Sequence, residues 1–463
     1  MRIYYDVIYS SANIMKIHIL GIGGTFMAGI AIIAKQLGHQ VTGSDKNLYD
    51  PMKSVLEKEN INFTEGYNPK ILDKKFDLVI VGNVMSRGMS IIEKLLEKKI
   101  KHISGPQWLY ENVLCKKRVI AISGTHGKTT TSSIITWILK YAKLNPSYLI
   151  GGQPVNLNSP AKLTASEFFV IEADEYDTSF FDKRSKYIHY HPDILVINNI
   201  EFDHADIFEN IDAVIKNFHH LVRIVPRSGR IIYNRDDKNI IKMIEKGLWS
   251  KKVSLTSKGY KDSDWSLSHK DNSFYLKKIN TKLTHEKKID SSLIGVHNYK
   301  NISLAILASI QTGVSFAKCI EAIKEFKGVK RRMEAVESKG DIKIYDDFAH
   351  HPTEIESSIK SLKENFKGKK ILSICEIKSH SMISGAHKKN LPIALNNSHF
   401  SILIKPPQYK WAIQNKNKNL YIVNSYSKAL EHIRNLEKKI DIILLMSNKS
   451  TIDIRNYIKN EKS

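Results

Sequence analysis

Short apolar runs alternate with longer stretches of helical periodicity along most of the chain, as in parallel α/β domains. The first unit has an apolar run at 16–20, a glycine turn, an amphipathic stretch at 27–37 and a second run at 40–45. A similar unit begins at 118–123 with another glycine turn, and a third set of strands begins after residue 332. The pattern predicts three α/β domains.

Further strands and helices follow from the same periodicities. The polar segment 249–288 contains short alternating pieces and predicts a peripheral sheet, and helices are predicted from residue 107 and over 297–312. Other strands are predicted at 76–83, 168–171, 194–197, 229–233, 342–345, 370–374, 400–404 and 440–445. A length of 463 residues agrees with about three domains. We place them at 15–114, 115–332 and 333–463.

Composition narrows the class of protein. Hydrophobic residues make up 42% and charged residues 25%, which excludes collagen-like, coiled-coil and wholly disordered chains. Cys115, Cys319 and Cys375 are scattered and odd in number, so we expect no disulfide framework and a reducing, cytoplasmic location. No apolar run reaches the roughly 18 residues of a membrane span, so no membrane association is predicted. Residues 1–14 precede the first strand as a short extension or an alternative upstream start.

The net charge of +24 comes from 71 Lys and Arg against 47 Asp and Glu. It has two interpretations, a polyanionic partner or a compositional bias toward lysine. The lysines are spread along the chain without interleaved aromatic residues, so a nucleic-acid partner is not predicted. A small nucleotide substrate, which carries only a few negative charges, would be a weaker form of the polyanionic partner.

The first glycine loop, Gly21 to Thr25, lies between a predicted strand and a predicted helix. Backbone N–H groups and the helix dipole favour a phosphate at such a point. A dinucleotide fingerprint requires glycine at position 26, where Phe26 stands. A tight turn, a nucleotide-diphosphate cradle and a dinucleotide site all remain open. Asp45 ends the next predicted strand, where it could contact a ribose or a base.

The second loop reads SGTHGKTTT at 123–131 and is a variant P-loop, because Ile122 stands where the usual form has glycine. Its chemistry is retained, since Lys128 can reach terminal phosphates and the Thr129 hydroxyl can bind Mg²⁺. The loop therefore predicts ATP and Mg²⁺.

Carboxylates follow two of the later strands, in EADEYD at 172–177 and NNIEFDH at 198–204. Metal ligands of α/β nucleotide sites lie at such strand ends, so we predict one or more Mg²⁺ ligands here. The adjacent His350 and His351 suggest zinc or a nucleotide or substrate contact, and without a third spaced ligand we favour the contact. The run at 330–332 suggests a phosphate site or a solvated surface.

These motifs, in this order, resemble the Mur ligase family of ATP-dependent amide-bond-forming enzymes. The resemblance implies a Rossmann-like N-terminal domain, a central P-loop ATPase domain and a Rossmann-like C-terminal domain. GIGG at 21–24 narrows it to members that take UDP-N-acetylmuramate. Segments 104–109, 180–190 and 218–226 resemble the peptidoglycan-recycling branch, which joins that substrate to L-alanyl-γ-D-glutamyl-meso-diaminopimelate. The other matching motifs are GTHGKTTT at 124–131, EADEYD at 172–177, NNIEFDHAD at 198–206, GVHNYKN at 295–301, KRRME at 330–334 and DDFAHHPTE at 346–354.

The resemblance implies that ATP phosphorylates the lactyl carboxylate and that the peptide amine attacks the acyl phosphate. The implied catalytic residues are His126, Lys128, Glu172 and His204. The implied metal ligands are Thr129, Glu172 and His204. The implied ATP contacts are Gly124, Thr125, Gly127, Lys128, Thr129, Thr130, His297, Asn298, Asn301, Arg332 and Asp347. The implied UDP-sugar contacts are Gly21, Gly23, Gly24, Thr25, Ser44, Asp45 and Asn83. The implied peptide contacts are His351, Lys378 and His380.

Departures from the family pattern keep alternatives open. The segment 376–382 reads EIKSHSM where the recycling branch has EPRSNT, and Lys378 cannot reproduce the bidentate fork of an arginine. Residues 449–451 replace an expected glycine-rich stretch, and Phe218 stands where sister ligases carry a modified lysine. The alternatives are a ligase that adds free L-alanine, a decayed UDP-muramyl-peptide-binding protein and, more distantly, a P-loop protein that binds nucleic acid.

Overall fold

A computed structural model of the chain describes residues 14–46, 48, 50–204, 207–279, 286–415 and 417–460, so the predicted extension lies almost wholly outside the described residues. The chain forms two compact units. Unit 1 comprises Met1–Ile200, Ile215–Asp290 and Ile302–Phe326. Unit 2 comprises Glu201–Val214, Ser291–Asn301 and Lys327–Ser463.

The N-terminal sheet of unit 1 is parallel, with strand order β3-β2-β1-β4-β5. The order reverses between β1 and β4, the point outside which open α/β sheets bind ligands. Its strands are β1 (Lys16–Leu20), β2 (Gln40–Asp45), β3 (Asn62–Glu65), β4 (Leu78–Val81) and β5 (His102–Ser104). Its helices are α1 (Thr25–Gln36), α2 (Met52–Lys58), α3 (Ser90–Glu97) and α4 (Gly105–Asn112).

The second sheet of unit 1 has ten strands in the order β15-β14-β13-β12-β11-β10-β6-β9-β7-β8. Its strands are β6 (Arg118–Ser123), β7 (Ser147–Leu149), β8 (Ala161–Lys162), β9 (Phe168–Glu172), β10 (Ile194–Ile197), β11 (Arg230–Asn234), β12 (Lys251–Thr256), β13 (Trp265–Lys270), β14 (Ser273–Lys278) and β15 (Glu286–Ile289). The helices along this part of the chain are α5 (Lys128–Tyr141), α6 (Ile211–Arg223), α7 (Lys238–Glu245), α8 (Val296–Ile310) and α9 (Phe316–Lys324).

The two sheets of unit 1 are joined through α1. A Cβ at Gly29 would lie 2.9 Å from Leu149 Cγ and 3.3 Å from the Cβ of Ala161, so glycine allows α1 to approach β7 and β8. The buried side of α1, Met27 to Ala34, is almost entirely apolar. Burial of this apolar side is the main stabilising contribution of the contact.

Unit 2 contains a six-stranded sheet in the order β16-β17-β21-β18-β19-β20, parallel except for the β16–β17 pair. Its strands are β16 (Glu334–Lys339), β17 (Ile342–Asp347), β18 (Ile371–Glu376), β19 (Phe400–Ile404), β20 (Leu420–Val423) and β21 (Ile442–Met446). Its helices are α10 (Pro352–Asn365), α11 (His380–Ile383), α12 (Asn390–Leu395), α13 (Tyr426–Leu436) and α14 (Ile452–Asn460). Two buried apolar clusters contain residues of this sheet.

The prediction of three α/β domains is confirmed, with one sheet for each predicted domain. The segment 249–288 differs from its prediction, because β12 to β15 extend the ten-stranded sheet and form no separate sheet. Polar strands such as β3 and the two-residue β8 were not predicted, since they carry too few apolar positions. Among the described residues, no helix is both long and apolar enough to cross a bilayer.

Candidate active site

The second glycine loop connects β6 to α5 at the carboxyl end of the ten-stranded sheet. Gly124 has a φ of +135°, and a Cβ there would lie 3.0 Å from Asn198 Cβ and 3.1 Å from the backbone nitrogen and oxygen of Asn199. Glycine therefore allows the loop to approach the segment after β10. Helix α5 begins at Lys128, directly after the loop, so its first N–H groups and its dipole favour a phosphate at this point.

Two asparagines after β10 hold this loop, a role the sequence did not reveal. Asn199 Oδ1 accepts a hydrogen bond from the backbone nitrogen of His126 at 2.8 Å, and Asn199 Nδ2 donates to the His126 carbonyl at 3.1 Å. The backbone nitrogen of Thr125 donates to the Asn199 carbonyl at 3.1 Å. Asn198 Nδ2 donates to Thr131 Oγ1 at 2.9 Å. The sequence signal that could have indicated this role is the position of both asparagines directly after a strand.

Lys128 lies in a network of acceptors. Its Nζ donates to the carbonyl oxygens of Gly124 at 2.7 Å and Thr125 at 3.3 Å, and to Glu175 Oε2 at 3.1 Å. Burial favours a lower pKa for Lys128, but the charges of Glu175, Asp174 and Glu172 outweigh it, so the pKa lies above its ordinary value. Lys128 is therefore a cation at neutral pH, and its partner Glu175 is a further residue whose role the sequence did not reveal.

Glu172 and Thr129 bring oxygen donors together at the end of β9. Thr129 Oγ1 lies 3.2 Å from Glu172 Oε2. Ser132 Oγ at 3.4 Å and the backbone nitrogen of Gly151 at 2.7 Å both donate to Glu172 Oε1. A hydroxyl beside a carboxylate is the kind of donor pair that Mg²⁺ takes, so these two residues fit the predicted metal. The nearby Thr130 is buried in the first turn of α5.

The first glycine loop is held by the end of β2. Asp45 Oδ2 accepts a hydrogen bond from the backbone nitrogen of Gly23 at 2.8 Å, and the Ser44 carbonyl accepts from Gly21 at 2.9 Å. Gly24 is the N-cap of α1, which begins at Thr25. The N-terminus of α1 therefore lies beside the point between β1 and β4 at which the strand order reverses.

Two predicted UDP-sugar contacts differ in exposure. Asn83 is exposed and lies two residues after β4. Ser44 is 1% exposed, and its Oγ lies 3.1 Å from Nε2 of the buried His18. Ser44 therefore supports the loop through its carbonyl, and its contact with the UDP-sugar stays a prediction.

The segment 180–190 contributes a cation that sequence reasoning did not single out. Lys186 Nζ lies 3.0 Å from Asp174 Oδ2, and it lies 5.7 Å from the ring centroids of both Phe26 and Tyr176. Lys186 therefore lies between the first turn of α1 and the carboxylates after β9. Within the same region, Phe218 is fully buried, and its ring centroid lies 6.1 Å from that of Tyr187.

In unit 2, the residues predicted to contact adenine lie around the start of α8. The His297 ring Nδ1 lies 2.9 Å from Ser357 Oγ, and Asn298 Nδ2 donates to the Ile294 carbonyl at 2.8 Å. Asn301 is buried. The His297 and Asn298 side chains contact other parts of unit 2, and the role of all three residues toward adenine stays a prediction.

Arg332 and Asp347 occupy different environments. The Arg332 guanidinium lies 4.8 Å from the centroid of the Phe348 ring. Asp347 is buried, and its two carboxylate oxygens accept hydrogen bonds from Ser358 Oγ at 2.5 Å and the backbone nitrogen of Phe348 at 2.8 Å. Burial raises the pKa of Asp347 to about 6. Its carboxylate thus supports the domain, and the ribose contact stays a prediction.

The divergent segment 376–382 is part of the folded core. Ile377 and Met382 are buried, and Glu376 accepts hydrogen bonds from the Tyr426 hydroxyl at 2.5 Å and Ser447 Oγ at 3.4 Å. Lys378 Nζ lies 3.1 Å from Glu376 Oε1. The side chain of His380 lies outside the described part of the chain.

The loop before α6 carries the predicted metal ligand His204. His204 has a φ of +54°, and its backbone nitrogen donates to Oδ1 of the buried Asp203 at 2.7 Å. Burial acts to raise the pKa of Asp203, but the charges of His204 and His351 more than reverse this and lower it. His204 belongs to unit 2, whereas Thr129 and Glu172 belong to unit 1.

Comparisons with known proteins give matches over most of the chain. The chain matches the Mur ligase family, catalytic domain, over residues 16–115, the Mur ligase middle domain over 122–309 and the Mur ligase, glutamate ligase domain over 331–449. It is 44% identical over 409 residues to the UDP-N-acetylmuramate–L-alanyl-γ-D-glutamyl-meso-2,6-diaminoheptandioate ligase of Escherichia coli (strain K12), covering 86% of this chain and 87% of the relative.

Two further relatives place this similarity in context. The UDP-N-acetylmuramate–L-alanine ligase of Caldicellulosiruptor saccharolyticus is 30% identical over 443 residues, covering 92% of this chain and 94% of the relative. The crystal structure of a murein peptide ligase from Psychrobacter arcticus 273-4 has a TM-score of 0.75 and 36% identity, covering 96% of this chain and 98% of that one. With matching domains, ordered motifs and relatives of this identity over most of its length, the chain belongs to the Mur ligase family.

Proposed function

We propose that the protein is an ATP-dependent ligase that joins UDP-N-acetylmuramate to the tripeptide L-alanyl-γ-D-glutamyl-meso-diaminopimelate, in peptidoglycan recycling. The observation that carries the proposal is the 44% identity to the Escherichia coli tripeptide ligase, against 30% to an L-alanine ligase. The segments 15–114, 115–332 and 333–463 would be its UDP-sugar-binding, ATP-binding and peptide-binding domains. The three unpaired cysteines agree with a cytoplasmic reaction.

The reaction takes two steps. A lactyl carboxylate oxygen attacks the γ-phosphorus of ATP, and ADP leaves, which gives an acyl phosphate. The amine of the peptide's L-alanine then attacks the carbonyl carbon, a proton leaves the nitrogen and inorganic phosphate departs. Positioning and charge neutralisation contribute most to such a phosphoryl transfer.

Lys128 and the N-terminus of α5 provide the positive charge that this step needs. Because three carboxylates keep the Lys128 ammonium protonated, it is available to stabilise charge on the transferring oxygens. The Gly124 to Gly127 backbone would hold the phosphates, while Asn198 and Asn199 keep that loop in place. His126 would lie near the reacting carboxylate by virtue of its place in the loop.

Thr129 and Glu172 would hold Mg²⁺, with His204 as a further ligand. When bound, the ion neutralises phosphate oxygens. In the structure the Thr129 and Glu172 side chains lie 3.2 Å apart, and hydrogen bonds from Gly151 and Ser132 fix the carboxylate. The protein's own contribution is therefore a preoriented pair of oxygen donors.

The loop Gly21 to Thr25 with Asp45 and Asn83 would hold the UDP portion, and α1 would direct its N-terminus at the diphosphate. Lys186 lies between the first turn of α1 and the carboxylates after β9, where it can attract the muramate carboxylate. His351 and Lys378, with His380, would contact the peptide.

The decisive experiment is a panel of amine acceptors. The protein is incubated with ATP, Mg²⁺ and UDP-N-acetylmuramate, and release of ADP and phosphate is followed with the tripeptide or with free L-alanine. We expect product only with the tripeptide. Product with L-alanine alone would assign the biosynthetic activity instead, and no turnover despite tight UDP-muramyl-peptide binding would assign a non-catalytic binding protein.

A further inference from the structure

Three potential metal ligands from separate parts of unit 2 meet at the start of α10. Asp203 comes from the loop before α6, His351 is the N-cap of α10, and His387 lies between α11 and α12. Each is buried, and one ligand atom from each lies within 4.8 Å of the other two. The sequence lacked a third spaced ligand for His351, and the fold brings two others to it.

The arrangement of the three groups favours a cation between them. The rings of His351 and His387 meet edge to face with centroids 4.7 Å apart, and Glu201 Oε2 lies 3.9 Å from His351 Nδ1. A tetrahedral zinc site holds its ligand atoms about 3.4 Å apart, so side-chain movements of roughly 1 Å would close this cluster on an ion. Imidazole with a carboxylate is a donor set that suits Zn²⁺ and similar metals better than Mg²⁺.

We propose that Asp203, His351 and His387 bind one transition-metal ion of the Zn²⁺ class, with water in the open position. The ion would connect the loop that carries His204 to the N-terminus of α10 and to the segment before α12. This site is separate from the Mg²⁺ ligands proposed above, since it uses neither Thr129, Glu172 nor His204. The inference does not depend on which peptide the enzyme accepts.

Cobalt(II) is the probe, because four-coordinate Co²⁺ absorbs strongly in the visible range. The full-length protein is titrated with Co²⁺ without ATP and in excess Mg²⁺, which saturates oxygen-rich sites. We expect one intense four-coordinate spectrum, which one equivalent of Zn²⁺ removes. His387→Gln and Asp203→Asn should each lower the Co²⁺ affinity by about tenfold or more.

Two controls separate this site from its neighbours. His432→Gln, at a half-buried ring that stacks on Tyr421, and His204→Ala should both keep the wild-type spectrum. In the NMR spectrum of the wild-type Co²⁺ complex, ring protons of two histidines should be paramagnetically shifted. This count of histidine ligands needs no substitution, so it holds even if a variant misfolds. The proposal would be overturned if no four-coordinate spectrum appeared, or if folded His387→Gln and Asp203→Asn bound Co²⁺ with unchanged affinity. Loss of the spectrum in His204→Ala, or shifted protons from one histidine alone, would also overturn it.

Discussion

The side-chain oxygen of Asn199 lies 2.8 Å from the backbone nitrogen of His126, and its side-chain nitrogen lies 3.1 Å from the carbonyl oxygen of the same residue. One amide therefore holds both backbone polar groups of a residue at the centre of the second glycine loop, the proposed ATP site. Because a loop that binds phosphate with its backbone must be held in one conformation, this contact bears directly on nucleotide binding.

Asn199→Ala removes both hydrogen bonds, a loss of about 1–2 kcal/mol. We expect the KM for ATP to rise roughly 5- to 30-fold, with the KM for UDP-N-acetylmuramate unchanged. Steady-state kinetics with the tripeptide give both constants. Asn199→Asp keeps the acceptor and should recover part of the loss, whereas Asn112→Ala, whose amide donates to Trp108 in the N-terminal domain, should leave the KM for ATP unchanged. Equal constants in Asn199→Ala and the wild type would contradict the role.

The apolar runs predicted the strands that the candidate loops follow, and the sheet brings these loops to one edge. Apolar runs predicted β6, β9 and β10, and the pairs Ile122 with Glu172 and Ile197 with Ser123 bring their ends to one edge. The sequence alone contains no strand order, so it did not reveal that Asn199 reaches His126. The same limit applies to His387, which meets His351 only through the packing of unit 2.

Side-chain direction was the other feature that the sequence left undetermined. Ser44 and Asp347 both lie at strand ends in motif positions, yet the Ser44 hydroxyl faces His18 and the Asp347 carboxylate accepts from Ser358. A motif specifies the residue type and its place along the strand. Whether a side chain points to the ligand or supports the backbone depends on neighbours from distant parts of the chain.

Lys128→Ala should abolish ADP formation while leaving UDP-N-acetylmuramate binding intact. Removal of the ammonium takes away charge stabilisation of the transferring phosphoryl group, a loss of about 10²–10³-fold or more in turnover. ADP release measures turnover, and calorimetry measures sugar-nucleotide binding. Lys140→Ala, at the other end of α5, is the matched control and should retain both. Loss of both properties in Lys128→Ala would contradict separate sites for the two nucleotides.

Glu172→Gln should raise the Mg²⁺ concentration needed for half-maximal activity by about tenfold. The amide keeps the size of the carboxylate but removes the negative charge that binds the cation. Mg²⁺ titrations of ADP release compare the variant with Glu167→Gln, an exposed carboxylate in an ion pair with Arg118. An identical Mg²⁺ requirement in the two variants would remove Glu172 from the metal site.

Lys378→Ala should raise the KM for the tripeptide without changing the KM for ATP. In the structure Lys378 lies 3.1 Å from Glu376, so its ammonium is held at the end of β18. Lys378→Arg should lower the KM for the tripeptide below that of the wild type, because a guanidinium binds a carboxylate with two parallel hydrogen bonds. The exposed Lys388→Ala is the control. A tripeptide KM that is the same in all four proteins would exclude Lys378 from peptide binding.

His18 should make the N-terminal domain sensitive to mild acid. Its ring is buried, lies 2.8 Å from Thr42 Oγ1, and is stacked on Phe76. Burial, with a smaller effect from Lys74, lowers the pKa of His18 to about 4. Between pH 6.5 and pH 4 the unfolded chain binds a proton that the folded protein does not, so stability falls as the pH falls through this window.

From the two pKa values, the free energy of unfolding should decrease by about 2 kcal/mol between pH 7 and pH 5 on account of this one residue. Urea unfolding followed by circular dichroism at both pH values measures the change. The variant His18→Gln can keep hydrogen bonds to Thr42 and Ser44, but its side chain does not titrate. Its free energy of unfolding should therefore decrease by about 2 kcal/mol less than that of the wild type over the same pH range, since all other groups titrate in both proteins. An equal pH dependence of the two proteins would show that the His18 ring is protonated in the folded state.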